Sequence, residues 1–105
     1  MKKYLMTIGL FDKEAEKQEI ETDAARDIIA YLLIDEFNIF AFTMFDCYGV
    51  YKMTSTGAII REPSIRVEIA TDGELKTGAI IEQIKKALNQ ESVMLETEVK
   101  NIEFI

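Results

Sequence analysis

Alternation opens this chain. Tyr4, Met6, Ile8 and Leu10 are apolar at every second position, and Leu5, Thr7, Gly9 and Phe11 interleave with them. Period two predicts a strand, and apolar residues in both phases predict a central one. The next segment, DKEAEKQEIET over residues 12–22, is polar and charged and predicts a solvated loop or the exposed entry to a crossover. Thr22 or Asp23 then offers a helix N-cap. Ala25, Ile28, Ile29, Leu32 and Leu33 follow at i, i+3, i+4, i+7 and i+8, one continuous apolar stripe. Asp35 and Glu36 oppose the helix dipole and predict an early stop.

Residues 39–53, IFAFTMFDCYGVYKM, are aromatic and β-branched and predict one long strand, bent near Asp46–Gly49 where a bulge fits. Thr54-Ser55-Thr56-Gly57 predicts a turn, and residues 58–70 return as the second arm of a hairpin. Pro63 lacks a ladder donor and predicts a bulge or break in that arm. Beyond it Ile65, Val67 and Ile69 alternate cleanly with Ser64, Arg66 and Glu68. A second helix runs from Lys76 or Thr77 to Leu88, with Ile80, Ile81, Ile84, Ala87 and Leu88 as its stripe, Lys85 and Lys86 at its negative end, and Asn89 as a left-handed cap. A last strand covers 93–99, and Ile102 and Phe104 fall out of phase with it, by a bulge or by separate packing of the tail.

The order strand, helix, hairpin, helix, strand fits a single α+β domain over residues 1–105. Right-handed crossovers favour a ferredoxin-like βαββαβ arrangement: a four-stranded antiparallel sheet with both helices on one face, the first and third strands central, and an extended hairpin between the second and third. A domain of 105 residues buries roughly 65% of the surface its unfolded chain exposes, enough to fold without disulfides or metal.

Composition narrows the chemistry. The net charge of −7 disfavours DNA, RNA and anionic membranes as direct partners. The one cysteine, Cys47, and the absence of histidine exclude an internal disulfide and a zinc site, and remove the usual general base. No apolar run is long enough for a signal peptide or a membrane span, so the expected location is the cytoplasm.

The segments YLMTIGLFDKEAEKQEI, GVYKMTSTGAIIREPSIRVEI and ALNQESVMLE resemble small uncharacterised ferredoxin-like proteins of Gram-positive bacteria, their phages and other mobile elements. The resemblance implies that fold, a bacterial cytoplasmic setting and no established activity. It supplies no catalytic residues.

The uncovered face of the sheet is the expected site of any partner or ligand. It is expected to carry Leu5, Thr7, Phe11, Arg66, Glu68, Met94, Glu96 and Glu98, with either Phe40, Phe42 and Met44 or Ile39, Thr43 and Phe45 from the hairpin. A surface this mixed in character most often meets a second copy. Arg61 reads either as an anion clamp with Arg66 or as a member of cross-strand ion pairs among Arg61, Glu62, Arg66 and Glu68. Tyr48 and Tyr51 lie near Asp46 in sequence, a weak acid–base signal. Acidic neighbours should raise the Cys47 thiol and leave it inert. Glu68, Glu96 and Glu98 sit on strand faces rather than in a ligand loop, a poor cation site.

Two readings follow. The first is a non-enzymatic, homo-oligomeric interaction or accessory module that meets a host or phage protein. It has no catalytic residues, metal or cofactor, and its contact face includes Leu5, Phe11, Tyr51, Arg61, Arg66, Glu68 and Met94. The alternative is a small-molecule-binding regulatory or enzymatic domain with its site on the sheet face of a dimer.

Overall fold

The computed structural model describes residues 1–105. Six strands and two helices follow one another: β1 (Lys2–Gly9), β2 (Phe11–Asp12), β3 (Lys17–Gln18), α1 (Thr22–Tyr31), β4 (Thr43–Lys52), β5 (Ile59–Thr71), α2 (Thr77–Leu88) and β6 (Met94–Val99). Four of the strands form one antiparallel sheet in the order β4-β5-β1-β6, so the first strand and the returning hairpin arm are central, as the order of elements predicts.

Register explains the core. Tyr4 lies opposite Ile69, Met6 opposite Val67 and Ile8 opposite Ile65, which places six apolar side chains on one face. Ala25, Ile29 and Leu33, together with Ile80, Ile84 and Leu88 of α2, pack onto them in a single cluster. Met6, Ile8, Ile29, Leu33, Ile65, Val67 and Ile84 have no exposed surface. Each such side chain contributes about 1.5–3 kcal/mol relative to exposure.

Several local expectations are corrected. Residues 12–22 are not all loop: β2 and β3 pair as a small second sheet, Phe11 opposite Gln18 and Asp12 opposite Lys17. Asp12 closes their turn by accepting the N–H groups of Glu14 and Ala15, each at 2.9 Å. The α1 N-cap is Glu21, without a side-chain hydrogen bond. The Thr22 hydroxyl instead accepts from Gln18 Nε2 at 3.2 Å. After Tyr31 the helix widens into one turn of π-helix, Leu32–Glu36, which buries Leu32 and Leu33 and leaves Asp35 and Glu36 in solvent.

The long hairpin also differs. Asn38 takes a left-handed conformation (φ 54°), so the chain from 39 to 42 is irregular and β4 starts only at Thr43. From Thr43–Glu68 to Lys52–Ile59 the β4–β5 register is unbroken, without the bulges expected near Asp46–Gly49 and at Pro63. Pro63 is tolerated because its carbonyl faces the β1 side, where it accepts the Leu10 N–H at 3.1 Å. The β1 ladder has ended one step earlier, at Gly9–Ser64, so the missing proline donor interrupts no pairing. The second helix, its lysine-rich end and the left-handed Asn89 (φ 50°) match expectation. The tail leaves the sheet: Lys100 donates its N–H to Met1 O, and residues 101–105 are not strand. No helix is long and apolar enough to cross a membrane.

Candidate functional site

The face opposite the helices carries Leu5 and Thr7 from β1, Ser64, Arg66 and Glu68 from β5, and Met94, Glu96 and Glu98 from β6. On β4 the second of the two sequence alternatives holds in part. Thr43 and Phe45 face this side, whereas Met44 packs against the core and Ile39 precedes the strand.

This face is hollowed. A cleft of about 360 Å³ opens where β1 ends, between the β4–β5 hairpin and the segment after α2. That size falls within the usual range for small-molecule sites. Phe11, Tyr51, Met53 and Met94 supply apolar wall, and Thr7, Glu62, Ser64 and Gln90 supply polar groups.

Two glycines make the room. Gly49 lies opposite Glu62 across β4–β5, and Gly9 lies opposite Ser64 across β1–β5. A Cβ on Gly9 would stand 2.0 Å from Glu62 Oε1, and one on Gly49 would stand 3.1 Å from the Ser64 hydroxyl. The Glu62 side chain therefore lies across the vacant side of Gly9. Its other oxygen, Oε2, accepts the Phe11 N–H at 2.6 Å. The backbone at Phe11 is fixed from behind: Gln90, itself buried, donates from Nε2 to Phe11 O at 2.8 Å, and Asn89 Nδ2 donates to Asp12 Oδ1 at 2.9 Å. The end of α2 thus holds the strand exit that holds the carboxylate.

Glu62 is only 6% exposed and has no cationic partner. Burial raises its pKa above the ordinary carboxylate range, and the Phe11 N–H offsets this only in part. The Tyr51 hydroxyl is pushed up as well, first by burial and then by the negative charges of Glu62 and Glu91. A perturbed carboxylate beside a phenol in a cleft is the constellation expected of a functional site.

The other sequence candidates fall as follows. Leu5, Arg66, Glu68 and Met94 lie on the open face, and Phe11 and Tyr51 line the cleft. Arg61 is exposed and in the opposite phase of β5, so it does not join Arg66. The cross-strand ion pairs are absent too: Glu68 pairs with Lys3 at 2.7 Å, Glu62 bonds backbone, and Arg66 stacks 5.7 Å from the Phe45 ring centre. Asp46 and Tyr48 face the helix side, where Asp46 binds Arg26 at 3.0 Å, so the phenol near a carboxylate is Tyr51 with Glu62. Cys47 is raised chiefly by burial, with Arg66 acting against it and Asp46 adding to it. No three acidic or thiol side chains gather as a metal-ligand set. Glu62, Ser64, Gly9, Gly49 and Gln90 were missed. The available signal was two glycines in otherwise bulky strands, flanking a glutamate and a serine in the phase of Arg66.

The architecture defines a class: an α+β chain with two helices and a four-stranded antiparallel sheet, plus a separate two-stranded sheet. Among solved structures it is similar to a phage SAM lyase in complex with S-methyl-5'-thioadenosine, at 21% identity and a TM-score of 0.70, over 92% of this chain and 79% of that one. The apo state of a phage SAM lyase matches at 22% identity and a TM-score of 0.62, over 92% and 78%. A DUF3240 family protein from Shewanella baltica matches at 8% identity and a TM-score of 0.55, over 99% and 96%. No protein-family model matches the chain, and no curated protein matches it.

The expectation of a non-enzymatic accessory module is overturned. The chain shares its fold with an enzyme, and one end of its open face is hollowed into a cleft of ligand size. The phage element of the sequence resemblance agrees with these neighbours.

Proposed function

We propose that this protein is a small-molecule enzyme of the lyase type that acts on S-adenosylmethionine and releases S-methyl-5'-thioadenosine. The observation that carries the reading is Glu62, a buried carboxylate in no ion pair, set in a cleft of ligand size that Lys13 also lines. The fold shared with a SAM lyase supports the choice of substrate. The strand order β4-β5-β1-β6 fits a ferredoxin-like sheet.

S-adenosylmethionine carries a sulfonium, and its thioether product does not. In the reaction the bond from sulfur to Cγ of the methionine chain breaks, and its electron pair stays on sulfur, which becomes neutral. The four-carbon fragment is completed without water, by loss of its Cβ proton or by ring closure of its own carboxylate. Glu62, itself buried, supplies the negative charge that the sulfonium needs, less screened than it would be in open solvent. The arriving cation in turn draws the Glu62 pKa back down. Phe11, Tyr51 and Met53 offer the apolar surface for the nucleoside. A second copy of the chain over the exposed Phe45 and Met94 would close the cleft further, and light scattering at micromolar concentration reads that state.

Titration calorimetry tests the substrate reading. The wild type should bind both S-adenosylmethionine and S-methyl-5'-thioadenosine. Glu62→Gln should weaken the sulfonium compound at least tenfold and leave the neutral thioether within about threefold. Binding of neither compound refutes the reading.

A further inference from the structure

Two buried side-chain polar atoms lack a hydrogen-bond partner: the Thr7 hydroxyl oxygen and Arg66 Nε. They belong to one cross-strand pair, Thr7 opposite Arg66 in the β1–β5 register, on the open face. An orphaned buried polar group costs about 1–3 kcal/mol, and natural proteins keep few of them. Two on facing residues at one spot call for a cause.

The position gives one. Thr7 lines the cleft, and Arg66 follows Ser64 in the same phase of β5, one step beyond the cleft wall. Arg66 is held without a carboxylate. Glu68 is engaged by Lys3, Glu62 by the Phe11 N–H, and Asp46 by Arg26 on the other face. The Phe45 ring centre lies 5.7 Å from the guanidinium carbon, within cation–π reach. Arg61 is unpaired too but lies exposed on the other face, whereas Arg66 is part-buried with an Nε that has no acceptor.

We infer that Thr7 and Arg66 form a carboxylate-binding subsite that grips the amino-acid end of the substrate. This rests on the lyase reading and extends it. The nucleoside lies toward Tyr51 and Met53, the sulfonium beside Glu62, and the methionine carboxylate accepts hydrogen bonds from Arg66 and the Thr7 hydroxyl. The cleft is then matched to a zwitterionic amino-acid chain: a negative group meets the sulfonium and a positive group meets the carboxylate. Arg66 and Thr7 are positioning and specificity residues that select S-adenosylmethionine over sulfonium compounds without the carboxylate.

The test compares three ligands on three proteins. S-adenosylmethionine, its decarboxylated analogue and S-methyl-5'-thioadenosine are titrated into wild type, Arg66→Lys and Thr7→Val, and the Arg66 Nε–H resonance is followed by NMR in the wild type. Arg66→Lys keeps the charge but loses the fork, so affinity for S-adenosylmethionine should fall roughly tenfold or more. Thr7→Val should lower it several-fold. The decarboxylated analogue and the thioether should be unaffected, which also shows that the variants fold. The Nε–H resonance should move with S-adenosylmethionine and stay with the thioether. Equal losses for all three ligands, or no loss for S-adenosylmethionine, overturn the subsite while the lyase reading stands. A wild type that binds none of them overturns both.

Discussion

The two ends of the open sheet face are built from similar residues and behave differently. At one end Lys3 meets Glu68 and Lys100 meets Glu98, at 2.7 and 3.1 Å, beside a hollow of about 350 Å³ floored by Phe42 and the tail residues Ile102 and Phe104. Lysines there are paired where they stand. At the other end Glu62 is buried without a cation and Arg66 is held without an anion. The first arrangement is a satisfied surface. The second leaves buried groups unmatched at a cost, which a ligand of complementary charge would offset. Charged residues alone do not distinguish the ends; their pairing does.

The largest expected effect breaks the cleft end directly. Gly9→Ala places a methyl where Glu62 Oε1 lies, 2.0 Å away, and must displace the carboxylate. Release of S-methyl-5'-thioadenosine should fall about 100-fold, with a loss of about 1–3 kcal/mol in urea unfolding. Wild-type turnover in this variant would remove Glu62 from the account.

Glu62→Gln sharpens the comparison by separating function from stability. It should slow release roughly 10–100-fold while raising the melting temperature at neutral pH. The sign follows from the raised pKa. Ionising Glu62 is harder in the folded protein than in the unfolded chain, so its protonated form favours folding at low pH. That contribution declines as pH rises from the ordinary carboxylate range through the raised pKa. Melting curves across this window should show a slope in the wild type that Glu62→Gln lacks.

Binding gives a third, smaller effect. A protonated Glu62 must lose its proton before it meets a sulfonium. Affinity for S-adenosylmethionine should therefore rise with pH through the same window, while affinity for the neutral thioether stays flat. Parallel curves for the two ligands would contradict the role assigned to Glu62.

The smallest effect belongs to the satisfied end. Lys3→Ala should cost no more than about 1 kcal/mol, because partly exposed ion pairs contribute little. Turnover should not change. A large loss of activity there would move the site across the sheet.

The helix-covered face was readable from residues because burial on both sides of a central pairing leaves an alternating trace: Tyr4, Met6 and Ile8 against Ile65, Val67 and Ile69. The second helix was readable for the same reason, and for Lys85, Lys86 and Asn89 at its end. The cleft was not. Glu62 beside Pro63 looks like surface charge at a break, and it becomes a buried carboxylate only because Gly9 and Gly49 fall next to it in register. That juxtaposition joins residues about 50 positions apart (Gly9 and Glu62) and leaves no local pattern. The start of β4 was misplaced because Ile39 and Phe42 are apolar for packing at the core margin rather than for pairing.

Glu62 is proposed to act in the cleft of an enzyme that cleaves S-adenosylmethionine. The direct measurement incubates purified wild type and Glu62→Gln with S-adenosylmethionine and separates the products by liquid chromatography with mass detection. S-methyl-5'-thioadenosine should accumulate with the wild type, in proportion to enzyme, and be reduced roughly 10–100-fold with the variant. No accumulation above the enzyme-free rate, or equal accumulation with both proteins, would contradict the account.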